Sequence, residues 1–205
     1  MKETDAVAGN VPTRNSFVSL ERRGAAFLLR LHAPDGANKL TRGFLREVAE
    51  AVRQLAAEKR ALIITGNETF FSAGADLKEI AALNAPTAYE FSKMGQELMS
   101  AIDNFPAPVY AAVGGYCMGG GLDLALACHR RMAAPHAVFG HRGAALGLIT
   151  GWGGTQRLPR LIGKARALEM FVAAEKISAE RALQIGLVDG IATDPVSEAL
   201  RRIAQ

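Results

Sequence analysis

Apolar and polar positions alternate with two distinct periods along the chain. Phe17 to Arg22 and Ala25 to Leu31 are β-rich runs parted by Arg23-Gly24, which predicts an antiparallel hairpin at the start of the fold. From Thr41 to Lys59, Phe44, Leu45, Val48, Ala51, Val52 and Leu55 recur at three and four residues, the spacing of one helix face, with Thr41 placed as N-cap. Ala61 to Gly66 is short and almost wholly apolar, as a strand covered on both faces would be. A second helix is predicted from about Ala88 to Asp103, with Phe91, Met94, Leu98, Met99 and Ile102 as its stripe and Pro106 and Pro108 ending it.

Val109 to Val113 reads as the next buried strand, after which Gly114 to Gly121 turns the chain into a helix near Leu122 to Cys128. Short strands fit Arg131 to Ala133 and Ala137 to Phe139, and helices fit Lys164 to Ala174 and Ala179 to Ile185, the last capped by Ser178. Strands alternating with helices give an α/β fold class. No fixed-period repeat, low-complexity tract or linker divides the chain, so the expected organisation is a flexible polar lead over residues 1–15 and a single domain over residues 16–205.

With 205 residues, 49% of them hydrophobic and 21% charged, the chain is long enough to bury a sizeable core. The net charge of +4 comes from scattered Lys and Arg rather than from a basic run interleaved with aromatics, which argues against nucleic acid as partner. Cys117 and Cys128 lie in apolar or glycine-rich surroundings without metal-like Cys/His spacing; they are expected to be reduced and buried, and no metal site is expected. Met1 to Asn15 lacks the apolar centre of a signal peptide, and no apolar run is long enough to span a bilayer, so a cytoplasmic protein with no membrane partner is the expectation.

The candidate chemistry lies in two glycine-framed turns, each following an apolar strand. One is Phe70-Phe71-Ser72-Ala73-Gly74-Ala75-Asp76-Leu77-Lys78; the other is Gly114 to Gly121, ending in Gly119-Gly120-Gly121. Such turns can offer bare backbone N–H groups to a ligand, because small residues let it approach the main chain closely. The glycine triplet taken alone reads first as tight packing. There is no Gly-x-x-x-x-Gly-Lys-[Ser/Thr] and no dinucleotide fingerprint between a first strand and helix. Ser72 is not in a Gly-x-Ser-x-Gly elbow, and a cap or loop hydrogen bond is its expected role.

These two segments, together with Gly151-Trp152-Gly153-Gly154-Thr155-Gln156-Arg157-Leu158-Pro159-Arg160 and Gly186-Leu187-Val188-Asp189, resemble the signature regions of the crotonase (enoyl-CoA hydratase/isomerase) superfamily, from about Phe17 to Asp189. The resemblance implies a spiral of repeated β-β-α units, here with a shortened C-terminal helical region, and assembly as a homo-oligomer, a trimer or hexamer. It implies an acyl-CoA thioester as substrate, with no further cofactor, in fatty-acid or related acyl-CoA metabolism. By the same resemblance the N–H groups of Ala75 and Gly120 form an oxyanion hole for the thioester enolate, where one such donor typically contributes about 3 to 4 kcal/mol. Ala73, Asp76, Leu77 and Lys78 match the segment that contacts the CoA moiety, and the glycine turn and following helix over Gly151 to Gly163 wall the site.

Hydratases of the family use a pair of glutamates as general base and acid. Here the first position is Asp123, one methylene shorter, and the second falls on Gly143, within Phe139-Gly140-His141-Arg142-Gly143. Asp123 is therefore the expected catalytic residue, in a hydratase/isomerase-like enzyme whose reaction is left open. Two alternatives stand beside it: a catalytically impaired acyl-CoA-binding protein, and a family member with other thioester chemistry, a hydrolase or decarboxylase. His141 and Arg142 stand beside Gly143; a histidine aimed into the site could carry protons near neutral pH, but the residues alone favour a surface or structural role for His141, and more so for His129 and His136.

Overall fold

The computed structural model describes residues 16–205; the lead expected to be flexible lies outside the described residues. Strands β1 (Val18–Arg23) and β2 (Ala26–Leu31) form the predicted antiparallel hairpin, with Val18 opposite Leu31 and Arg23 opposite Ala26. A two-residue strand β3 (Lys39–Leu40) leads into α1 (Arg42–Ala56), where the Thr41 hydroxyl accepts the Phe44 amide at 3.2 Å and the six apolar residues of the predicted stripe are all buried. Strand β4 (Ala61–Thr65) is buried at every position. The next segment is β5 (Phe70–Ser72), β6 (Gly74–Ala75), the short α2 (Leu77–Ala81) and α3 (Ala85–Asp103). Helix α3 begins three residues before the predicted Ala88, because the Asn84 and Thr87 side chains cap one another's backbone and Pro86 suits the first turn.

After β7 (Val109–Val113), the turn expected over Gly114 to Gly121 contains a strand, β8 (Tyr116–Met118), and helix α4 (Gly120–Ala127) starts two residues before the predicted Leu122. The remainder is β9 (Arg130–Ala133), β10 (Val138–Gly140), a 3₁₀ turn at Ala144–Leu146, α5 (Gly154–Ile162), α6 (Lys164–Ala173), β11 (Ile177–Ser178), α7 (Ala179–Gln184), β12 (Gly190–Ile191) and α8 (Pro195–Ile203).

A six-stranded sheet has the order β1-β2-β4-β7-β9-β12 and is parallel from β2 onward; a second, four-stranded sheet has the order β11-β10-β8-β5. The pairs β4/β5, β7/β8 and β9/β10 each give one strand to each sheet in matching order, and a helix follows every pair, so the chain winds as a stack of β-β-α turns. Adjacent turns stack backbone on backbone at the corners between sheets. A Cβ at Gly114 would stand 2.8 Å from the Asn67 carbonyl oxygen, which is why the corner of one turn requires glycine where it rests on the corner before it.

The main core fills the space between the six-stranded sheet and helices α1, α3 and α4, with Phe44, Leu62, Ile64, Leu98, Val109 and Phe139 among its buried members. The other sheet face carries Leu28, Ile63, Tyr110 and Met132, which pack against Ala199 of α8. Two-sided cover accounts for the near-continuous apolar strands. Buried Arg131 ties β9 to the chain before β12: its guanidinium donates to the Leu187 carbonyl at 2.8 Å and the Cys128 carbonyl at 2.7 Å, and it pairs with Asp189. Cys117 and Cys128 are unpaired thiols buried in the core.

Candidate active site

A cavity of about 530 Å³ opens where β6, the start of α4 and the segment Gly151–Trp152 converge. Ala73, Gly74, Ala75 and Leu77 line one wall, Gly119, Gly120 and Asp123 the floor, and His141, Gly143, Thr150 and Trp152 the opposite wall. The lining is mostly apolar with a few convergent polar groups, the usual make-up of a small-molecule site. Asp76 and Lys78 are not part of this wall. Asp76 instead caps α2, accepting the Lys78 amide at 2.7 Å, and Lys78 is exposed.

The two amides singled out from the sequence are neighbours. A Cβ built on Gly120 would stand 3.3 Å from the Ala75 nitrogen, and one built on Gly74 would stand 3.0 Å from the Gly120 nitrogen. Gly120 is the first residue of α4, so its N–H has no intrahelical acceptor and sits at the positive end of the helix dipole. Gly119 makes the turn possible with φ of +52°. The loop leading to Ala75 is braced from below. The buried Asn38 side chain donates to the Phe70 and Phe71 carbonyls, each at 3.1 Å, and the Ser72 hydroxyl donates to the Asn38 carbonyl at 2.7 Å and accepts the Gly74 amide at 3.1 Å. Ser72 thus has the loop hydrogen bonds expected of it.

Trp152 lies across this centre. Its ring would be struck by a Cβ on Gly120 (Cε3 at 2.7 Å) and, on its other side, by a Cβ on Gly95 of α3 (Cε2 at 2.5 Å). The indole N–H donates to the Phe91 carbonyl at 3.3 Å, and the Phe91 ring meets it edge-on at 5.2 Å. Two glycines from different helices therefore make room for one indole, which walls the cavity beside the Gly120 amide.

Asp123 sits in the first turn of α4 and is 1% exposed. One carboxyl oxygen accepts a hydrogen bond from the Thr150 hydroxyl; the other, Oδ1, has no hydrogen-bond partner and lies 3.4 Å from His141 Nε2, which also has none. Burial pushes the Asp123 carboxyl up to about 7, against smaller opposing effects of the Thr150 hydroxyl, the Arg157 charge and the Gly154 backbone. Burial pushes His141 the other way, down to about 4. At neutral pH, then, the couple is a carboxyl that is about half protonated facing a neutral imidazole, and the protonated acid prevails below about 7.

Of the two roles expected for His141, surface or structural, burial rules out the first. His141 is 3% exposed, enclosed by α4 on one side and by the Phe171 ring of α6 at 5.1 Å on the other, and it faces the cavity. His129 and His136 do have loop roles: His129 Nδ1 accepts the Val109 amide at 2.8 Å, and His136 Nε2 lies 3.2 Å from the Glu68 carbonyl. Sequence reasoning also missed Thr150 and assigned Trp152 only a general walling role. A polar Thr150 between Ile149 and Gly151, in the glycine-rich stretch, was the available signal. Gly143 lies beside the cavity in helical backbone at the head of the 3₁₀ turn, and a Cβ there would stand 2.6 Å from the Leu148 carbonyl oxygen.

Among the described residues no group of three or more His, Cys, Asp or Glu is placed to hold a metal ion, and no helix is long and apolar enough to cross a membrane.

Known proteins share this fold. The family model described as enoyl-CoA hydratase/isomerase matches residues 21–205. A probable enoyl-CoA hydratase of Bacillus subtilis (strain 168) is 44% identical over 164 residues, 78% of this chain and 63% of that protein. A crotonyl-CoA hydratase of Syntrophomonas wolfei is 38% identical over 177 residues, 85% of this chain and 68% of that protein. The crystal structure of an enoyl-CoA hydratase from Bacillus anthracis superposes with a TM-score of 0.88 at 35% identity, covering 92% of this chain and 76% of that one. The chain thus spans about two thirds of the length of these curated relatives. With the model matched over most of its length and the β-β-α stack shared with solved members, the chain belongs to the enoyl-CoA hydratase/isomerase family.

Proposed function

We propose that this chain is the core of an acyl-CoA thioester enzyme of the enoyl-CoA hydratase/isomerase type, folded as one domain over residues 16–205. The N–H groups of Ala75 and Gly120 hold the thioester oxygen, and Asp123 moves the proton. The observation that carries the reading is the meeting, at the floor of one cavity, of two main-chain amides with a buried carboxyl whose affinity for its proton is raised to near neutrality. Removing a proton next to a thioester puts charge on the carbonyl oxygen, and fixed donors in a dry site stabilise that charge as it forms. A carboxyl tuned near neutral pH is suited both to take and to give a proton.

Ala73 and Leu77 line the mouth and are placed to contact the pantetheine end of the substrate, with Asp76 shaping the loop and Lys78 exposed outside it. No cofactor beyond the coenzyme A of the substrate is part of the proposal. Cytoplasmic location is the expectation drawn from the sequence, a trimeric or hexameric assembly is carried over from the family resemblance, and light scattering tests the latter. The functional test is turnover of crotonyl-CoA and of a 3-enoyl-CoA by wild type and Asp123→Ala, with calorimetry of butyryl-CoA binding. Binding with Asp123-dependent turnover is the expected result. Binding with no turnover of either thioester would leave an acyl-CoA-binding protein in its place.

A further inference from the structure

Resting on that reading, we propose that His141 is a second catalytic residue of the site and works with Asp123 as a proton relay that shifts the double bond of a 3-enoyl thioester into conjugation. Both groups line the same cavity, both are nine-tenths or more buried, and each turns an unpartnered polar atom toward the other across 3.4 Å. Two orphaned polar atoms side by side in a core are expensive unless a ligand or a shared proton occupies them. Room for the approach comes from Gly154, where a Cβ would run into Asp123 Oδ1 and stand 3.0 Å from His141 Nε2. Gly143, the position where hydratases of the family carry their second carboxylate, contributes no proton-transfer group, and the imidazole stands two residues away on the same wall.

The relay needs no co-reactant. Neutral His141 takes the proton from C2 of the 3-enoyl thioester, and the electron pair of the broken C–H bond moves onto the carbonyl oxygen held by the Ala75 and Gly120 amides. Protonated Asp123 then delivers its proton to C4, and the double bond settles between C2 and C3. Transfer of the proton from imidazolium to carboxylate across the short gap restores the starting state. Thr150 steadies the carboxyl through its hydroxyl. The charged and titratable groups that face the couple are Arg157 from α5, which favours the carboxylate, Cys117 from β8, whose thiol burial keeps protonated, and Arg142 and Lys176 on the cavity wall.

The test compares wild type, His141→Gln and Gly154→Ala with trans-3-hexenoyl-CoA as substrate and butyryl-CoA as a non-reacting ligand. Wild type should convert the 3-enoyl thioester with a bell-shaped pH profile, falling above about 7 as Asp123 loses its proton and toward about 4 as His141 gains one. His141→Gln should bind butyryl-CoA within about twofold of wild type yet lose about a hundredfold or more in kcat, with the acid limb gone. Gly154→Ala, which prises the couple apart, should lose turnover in the same direction. The proposal is overturned if His141→Gln keeps the wild-type rate and profile, or if wild type binds butyryl-CoA but leaves 3-hexenoyl-CoA unchanged. Failure of wild type to bind butyryl-CoA at all would instead remove the acyl-CoA reading beneath it. Should His141→Gln fail to fold, as seen by circular dichroism, the wild-type profile still decides: an acid limb absent while the fold persists overturns the relay.

Discussion

Replacing Asp123 by asparagine should make the protein more stable while removing the carboxyl proposed to transfer the proton, and the gain should depend on pH in a defined way. The carboxyl ionises at 3.8 in ordinary surroundings and at about 7 in the fold. Between those values the unfolded chain has released the proton while the folded chain retains it, so this group's contribution to stability falls as pH rises through that window. Each pH unit corresponds to about 1.4 kcal/mol, so the full effect approaches about 4 kcal/mol above pH 7, as an upper limit. Asparagine has nearly the same shape, can accept the Thr150 hydroxyl, and can donate its amide to the unpartnered His141 Nε2. His141 behaves oppositely: the unfolded imidazole gains its proton near 6.5 and the folded one only near 4, so its contribution falls as pH drops through that range. In wild type the two slopes largely cancel between about 4 and 6.5; in Asp123→Asn only the histidine slope remains. Urea unfolding at a series of pH values measures both curves. The two proteins should converge near pH 4 and separate steadily to about 2 to 4 kcal/mol in favour of asparagine by pH 7.5. A variant that is less stable than wild type above pH 7, or a difference that does not change with pH, would refute the claim that burial holds this carboxyl protonated.

Gly120→Ala would drive a methyl group into the Trp152 ring beside the Ala75 nitrogen, and kcat for any thioester substrate should fall about a hundredfold or more, measured at saturating substrate. Gly143→Glu should not create a hydratase: its Cβ meets the Leu148 carbonyl oxygen, so crotonyl-CoA hydration should not rise, and thermal unfolding should report about 1 to 3 kcal/mol lost as the loop shifts. Cys117 and Cys128 are buried and their thiols are held well above the ordinary range, Cys128 to about 12, so an aromatic disulfide reagent should label neither until denaturant unfolds the chain.

The long elements were legible because one local rule decided each of them. The three-four spacing from Phe44 to Leu55 and the Thr41 cap define α1, and the unbroken apolar runs at 61–65 and 109–113 define strands covered on both faces. Strands of two or three residues such as β3, β6 and β8 were not, since they exist only through the partner strands that complete them. Helix α8 was overlooked although Asp194 caps it and Val196, Ala199, Leu200 and Ile203 follow helical spacing toward the sheet. In the site, the backbone donors could be located from their motifs, because small residues at fixed intervals are a local signal. The Asp123–His141–Thr150 contact could not, because its members come from α4, the end of β10 and a glycine-rich loop, and each looks ordinary among its sequence neighbours.

The single indole wedged between Gly95 and Gly120 also couples two otherwise unrelated parts of the molecule. A side chain larger than hydrogen at Gly95 would run into that plate and press it against the first residue of α4. Drift at this position of α3 is therefore constrained by the packing of a cavity wall, and a smaller residue at Trp152 is the direct way to compensate a larger one there.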